Sequence, residues 1–339
     1  MITIGLDAEP AQRLPGEVRE LVALPAERAR RGELAIAALI AEGMIRTAVT
    51  VLAYSGSMNG DYLEKVRTAP GFFAALDQSG GSTPGALAEY GIGRDRYSSD
   101  AEMFDFVHAL RVRVFTSPAF DGDRIIASIL FQQTMEREVA GLPTARYLWE
   151  RKHVVPILKV DLGLADENDG VQLMKPIDTL DDLLGRANQH GIFGTKMRSV
   201  IKDASETGIA AIVEQQFGYA ERIRAAGLVP ILEPEVSIAS PQKEQSELLL
   251  RDAIRKHLEA LPADALIMVK LTIPTDPGLY ADLASDPRVL RVLALSGGYS
   301  RDEACALLEG LTDGQTDDQF NARLDASIAQ IYQASAHNP

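Results

Sequence analysis

The chain has 339 residues, room for one large domain or two small ones, and a formal net charge of −14. That acidity argues against nucleic acid or an anionic membrane as partner, since both need cationic surface, but it leaves space for a local cationic pocket around a small anion. The single cysteine, Cys305, allows no intrachain disulfide and fits a reducing, cytoplasmic compartment.

The opening segment, MITIGLDAEP, carries an early acid and no basic stretch, so no secretory signal is expected there. No apolar run has the length needed to span a bilayer. Residues 1–57 show a helix-like stretch, AERARRGELAIAALIAEG at 26–43, and a strand-like one, IRTAVTVLAY at 45–54. Seven runs rich in Val, Ile, Leu and Phe follow: GFFAALDQ at 71–78, RIIASILFQ at 124–132, VVPILKVD at 154–161, IFGTKMRSV at 192–200, LVPILEPEV at 228–236, DALIMVKLTI at 264–273 and VLRVLALSGG at 289–298. Most are continuous rather than alternating, as expected of strands buried on both faces of a parallel sheet. Amphipathic helical patterns lie between them, most clearly at 202–226, 242–261 and 301–309. Strands alternating with helices predict a β/α fold, and this many units favour a (β/α)₈ TIM barrel over an open dinucleotide-binding sheet. No GxGxxG follows the first run. Where an eighth strand belongs, GLTDGQTDDQ at 310–319 reads as a polar loop, so the eighth unit is expected to be shortened or missing.

Active sites of such barrels lie at the C-terminal ends of the strands, and here those ends are charged. The run at 71–78 ends in Asp77, and the next ends carry Lys159 with Asp161, Lys196 with Arg198, and Glu233 with Glu235. Lys270 sits inside MVKLTI, and the last run ends in Ser296, Gly297 and Gly298. Residues i and i+2 of a strand share a face, so each charged pair projects to one side, toward the barrel mouth. One such charge is most often a solvated terminus or a salt bridge; four cations and four carboxylates at these strand ends point to a site. Lys270 is flanked by Met268, Val269 and Leu271, and desolvation and neighbouring cations would disfavour its ammonium form. A lysine of that kind attacks carbonyl carbon and forms a Schiff base; a structural pair with Glu233 or Glu235 is the alternative. The amides of SGGYS at 296–300 could hold a phosphate at a helix N-terminus, or form an ordinary turn. None of the five histidines falls at a predicted strand end and no HExxH occurs, so neither a metal nor another cofactor is expected.

The segments FFAALDQSGGST, ILFQQTM, ILKVDLG, DGVQLMKPI, GTKMRS, ILEPEV, VKLTIP and ALSGGYSRDEA resemble class I fructose-1,6-bisphosphate aldolase in its compact bacterial form. The resemblance runs from about Met58 to Leu308 and resumes near residue 315. It implies a (β/α)₈ barrel that reversibly cleaves fructose 1,6-bisphosphate by Schiff-base chemistry. By that resemblance Lys270 is the Schiff-base lysine, Glu233 the general acid/base for imine formation, and Asp77 the group assisting proton transfer at the C4 hydroxyl. Lys196 and Glu235 support the relay, Lys159 and Arg198 bind hydroxyls and the C6 phosphate, and Ser296 and Gly297 cradle the C1 phosphate. A small sugar phosphate is the partner implied, and a homo-oligomer is left open.

Two departures stand against that pattern. Residues 1–57 have no counterpart in the compact family, which begins near MNGDYLEKV; they are expected to be either an upstream translation artefact or an appendage to a barrel domain at 58–339. After ACALLEG the chain also lacks the family's last strand and its phosphate-gripping arginine, Arg301 and Arg323 being the nearest. An open seven-stranded barrel with exposed edges is then expected, unless IRTAVTVLAY fills the gap. An aldolase for another sugar phosphate, or an impaired barrel that mainly binds, are the competing expectations.

Overall fold

All seven apolar runs become strands in the computed structural model, which describes residues 2–6, 58–78, 83–295 and 306–336. They are β2 (Phe72–Leu76), β3 (Ile125–Leu130), β4 (Val155–Lys159), β5 (Gly194–Ile201), β6 (Val229–Val236), β7 (Ile267–Thr272) and β8 (Val289–Leu295), preceded by β1 (Ile2–Leu6). Each of β2 to β8 runs parallel to its sequence neighbours. The helices that frame the site are α1 (Met58–Thr68), α2 (Asp100–Thr116), α3 (Gln132–Met135), α4 (Glu206–Ala225), α5 (Lys243–Ala260) and α6 (Asp317–Ala336).

Continuous apolar runs are explained by two separate cores. Alternate strand residues such as Phe73, Ala75, Val155, Ile157, Val229, Ile231, Met268 and Leu293 fill the inside of the barrel. The intervening residues, among them Phe72, Leu76, Leu158, Met197 and Leu232, pack outward beneath the helices. Burying both faces removes the polar alternation of a half-exposed strand. The inner core is sealed at the N-terminal ends of the strands by α1, whose Tyr62, Leu63 and Val66 are buried against it. Arg291 of β8 fixes the end of that helix: it donates to the carbonyls of Val66 at 2.8 Å, Arg67 at 3.2 Å and Ala69 at 3.0 Å. A helix C-terminus has free carbonyls to satisfy, and one guanidinium serves three of them here.

The eighth place differs from the expectation of an open edge. β1 lies antiparallel between β8 and β2, with Thr3 opposite Leu295 and Ile4 opposite Phe72. The ring runs β4-β3-β2-β1-β8-β7-β6-β5 and closes back on β4. Thus ITIGL takes the position for which IRTAVTVLAY was the candidate; the latter lies outside the described residues. An antiparallel filler needs no crossover helix, so five residues can supply it. Residues 310–316 are turn and coil as expected, whereas 317–319, expected in the same loop, already belong to α6, which begins at Asp317. The helical pattern at 301–309 is corrected in its described part: Leu307–Gly310 form a turn, and Gly310, with φ of +72°, adopts a conformation that glycine tolerates and other residues resist.

Candidate active site

Strand alternation carries the inner core directly into the charged residues. On β6, Val229 and Ile231 face inward, so Glu233 and Glu235 continue the same face toward the mouth. The same count takes β2 from Phe73 and Ala75 to Asp77, β4 from Val155 and Ile157 to Lys159, and β7 from Met268 to Lys270. Register then sets neighbours: Met268 opposite Ile231 brings Lys270 beside Glu233, and Lys159 lies opposite Lys196.

The result is a chain of four alternating charges. Lys270 Nζ donates to Glu233 Oε1 at 2.7 Å. Lys196 Nζ lies 3.0 Å from Glu233 Oε2 and 2.6 Å from Asp77 Oδ2. Lys270 and Glu233 are fully buried, Lys196 is 2% exposed and Asp77 8%. The Lys196–Glu233 contact has ion-pair distance without hydrogen-bond geometry, which leaves a lone pair on Oε2 able to take a proton. Two further pairs flank the chain: Lys159 Nζ with Asp161 Oδ1 at 2.5 Å, and Arg198 Nε with Glu235 Oε2. Among the described residues Asp161 Oδ2 is buried with no partner.

Burial and charge compete at each group, and charge prevails. Burial alone would raise the Asp77 carboxyl, but Lys196 and then Lys270 hold it well below the usual carboxylate range. Glu233 is likewise raised by burial and lowered further by Lys196 and Lys270, for a net depression. Burial works against the Lys196 ammonium, yet Asp77 and Glu233 raise it above the ordinary lysine range. At neutral pH Asp77 is therefore a carboxylate and Lys196 an ammonium, and Glu233 is an acceptor in contact with Lys270.

The structure brings together Lys270, Glu233, Lys196 and Asp77, and it sets Lys159, Arg198 and Glu235 beside them. Glu235 pairs with Arg198, and the carboxylate at Lys270 is Glu233. The expected crowd of cations around Lys270 takes another form, since Lys196 lies on the far oxygen of Glu233. Ser296, Gly297 and Arg301 lie outside the described residues. Arg323 donates to the Glu309 carbonyl at 2.8 Å, a structural bond at the base of α6. Among the described residues no cluster of three or more His, Cys, Asp and Glu is arranged to hold a metal ion, and no helix is long and apolar enough to cross a membrane.

One buried cation escaped sequence reasoning. Arg111 of α2 is 3% exposed, donates to the Gln78 carbonyl at 2.7 Å, and also bonds Thr134 Oγ1 of α3. Its signal was positional. Met103, Val107, Leu110 and Val114 mark the apolar face of α2, and Arg111 lies on that face, four residues after Val107 and three before Val114.

Comparison with known proteins converges on one family. A family model for class-I fructose-bisphosphate aldolase, of the glycolytic group, matches residues 105–246. The chain is 57% identical over 292 residues to the class 1 fructose-bisphosphate aldolase of Synechocystis sp., an alignment covering 82% of this chain and 97% of the relative. Its backbone is similar to that of a fructose-bisphosphate aldolase from Plasmodium falciparum, with a TM-score of 0.62 at 18% identity, covering 81% of this chain and 92% of that one.

Proposed function

The chain belongs to the class-I fructose-bisphosphate aldolases, and from that premise we propose that its barrel mouth reversibly cleaves fructose 1,6-bisphosphate to dihydroxyacetone phosphate and glyceraldehyde 3-phosphate through a Schiff base on Lys270. The observation that carries the assignment is the fully buried Lys270 Nζ of β7, 2.7 Å from the fully buried Glu233 of β6. In the resting state that contact is an ion pair. Moving the proton along it to Glu233 leaves a neutral amine with its lone pair free.

The steps follow from this geometry. Lys270 Nζ adds to the C2 carbonyl of the substrate, giving a carbinolamine. Glu233, now protonated, donates to the departing hydroxyl; water leaves and an iminium remains. The C4 hydroxyl proton passes to Asp77 as the C3–C4 bond breaks. The bond's electron pair moves into C2–C3 and neutralises the iminium as an enamine, and glyceraldehyde 3-phosphate departs. The proton held by Asp77 returns by way of solvent as C3 is protonated and the iminium restored; water then adds at C2, Glu233 taking its proton, and the carbinolamine collapses to dihydroxyacetone phosphate and the free lysine. Lys196, 2.6 Å from Asp77 and 3.0 Å from Glu233, holds both carboxylates and stabilises charge on either as protons move. Lys159 and Arg198 provide cations for hydroxyls and the phosphate at the C6 end, held in place by Asp161 and Glu235. Ser296 and Gly297 are assigned to the C1 phosphate by resemblance to the family. Glycolysis in the cytoplasm is the setting this chemistry fits.

Borohydride reduction in the presence of dihydroxyacetone phosphate tests the assignment. One adduct per chain should map to the peptide containing Lys270. Lys270→Met keeps an apolar stem but has no amine, and should abolish both adduct and cleavage. A full adduct yield on that variant would place the Schiff base elsewhere.

A further inference from the structure

Asp77 lies one residue beyond the end of β2. The ladder between β2 and β3 ends with Leu76 opposite Leu130, so backbone pairing does not reach Asp77. Two contacts bracket it. Lys196 meets its carboxylate at 2.6 Å, and Arg111 holds the carbonyl of the next residue, Gln78, at 2.7 Å. Arg111 also bonds Thr134 Oγ1 in the short helix following β3. One guanidinium thus ties together the segments leaving two adjacent strands.

The position is an expensive one for a cation. Arg111 is 3% exposed, and among the described residues no carboxylate lies within ion-pair distance of it. Desolvating an arginine without a counter-ion carries a penalty that remains even after the surroundings relax. Burial pushes its proton affinity down to about 10, and the field of nearby Asp77 partly offsets this. Packing at this point of α2 would be served by a leucine or methionine, so the planar fork and its charge call for another explanation.

We propose that Arg111 is a positioning residue for carbon–carbon cleavage, fixing the backbone that presents Asp77 to the C4 hydroxyl without touching substrate itself. The inference rests on the assignment of Asp77 made above. An error of about 1 Å in the placement of a reacting group can cost on the order of 100-fold in rate, and a carboxylate just past a strand end is free to make such an error unless its neighbour is held.

A double-mutant cycle tests it, using Arg111→Met, Asp77→Asn and the pair in the full chain. For Arg111→Met, kcat for fructose 1,6-bisphosphate cleavage should fall roughly 10- to 100-fold, with KM changed by less than about threefold. The yield of borohydride-trapped adduct with dihydroxyacetone phosphate should stay at one per chain, because forming that imine needs Lys270 and Glu233 but no C4 proton transfer. In the Asp77→Asn background, Arg111→Met should cause little further loss. Equal losses in imine trapping and cleavage, or fully additive losses in the pair, would overturn the proposal in favour of a general structural role. Impaired cleavage by Asp77→Asn beside unimpaired Arg111→Met would overturn it alone. Full cleavage by Asp77→Asn would remove the role of Asp77 and the proposal with it. If Arg111→Met does not fold, Arg111→Lys keeps the buried charge but loses the two-point fork. It is read in the same way: cleavage slowed more than imine formation supports the proposal, and equal slowing refutes it.

Discussion

Replacing Glu233 by glutamine removes one negative charge from the middle of the four-group chain and nearly nothing from its shape. In the native protein the carboxylate meets Lys270 at 2.7 Å and Lys196 at 3.0 Å, and none of the three is more than 2% exposed. The amide leaves two lysines against the single charge of Asp77. Removing one partner of a buried pair typically costs about 3–5 kcal/mol. For 339 residues the unfolding entropy is about 0.7 kcal/mol per kelvin, so the melting midpoint should fall by about 4–7 °C. In the proposed mechanism the same change removes the proton donor for carbinolamine dehydration and the acceptor for the lysine's proton. Adduct formation with dihydroxyacetone phosphate, followed by quench and borohydride reduction, should slow by about 10²–10⁴-fold. Calorimetry reads the first effect and the quench series the second. Wild-type rates of imine formation in a folded Glu233→Gln variant would refute the acid/base role. An unchanged melting midpoint would refute the claim that Glu233 is desolvated between two ammonium groups.

Activity should survive EDTA, because in the proposed mechanism an iminium on Lys270 accepts the electron pair of the broken bond; inactivation by chelation with recovery on adding zinc would contradict this. Asp77 and Glu233 resist protonation in the folded state more than in the unfolded chain, where carboxylates titrate near ~4. Their contribution is therefore complete above that range and lost as pH falls below it, so the melting midpoint should drop with acid, and Asp77→Asn should flatten the slope. We further propose that the N-terminal segment contributes to stability through β1, Ile2–Leu6; the test is removal of residues 1–57. Deleting them would bare the edges of β2 and β8, and should lower the midpoint and promote aggregation. A truncated chain that melts at the same temperature and remains monodisperse would show that β1 contributes nothing.

The parallel strands were legible because two buried faces leave a plain signature, a short unbroken apolar run such as 228–232 that follows a turn. The charged residues were legible for the same reason: ionisable groups break those runs at their C-terminal ends, where two-residue periodicity puts Lys159, Lys196, Glu233 and Lys270 on the inward face. What the pattern could not supply was pairing between side chains. Whether Glu235 meets Lys270 or Arg198 depends on register between β5 and β6, which no single strand encodes. β1 was hidden because an antiparallel contact between residue 3 and residue 295 has no local correlate, and ITIGL is too short to stand out. Arg111 was overlooked because an arginine in a helix is usually solvated. Only its place on the apolar stripe of α2 marks it as buried. The stretch at 301–309 misled in its described part because helical spacing in so few residues is outweighed by the turn ending at Gly310.

The pairing of Lys159 with Asp161 and of Arg198 with Glu235 has a consequence for how fast an anion arrives. A lone cluster of cations would project an attractive potential into solvent and draw a bisphosphate from a distance. Here each rim cation already has a counter-ion from its own chain, and the molecule as a whole carries −14. Among the described residues the paired rim cations therefore offer an approaching phosphate little long-range steering. If Lys159 and Arg198 hold the phosphate as proposed, kcat/KM should respond only weakly to added salt that would sharply slow an electrostatically guided encounter.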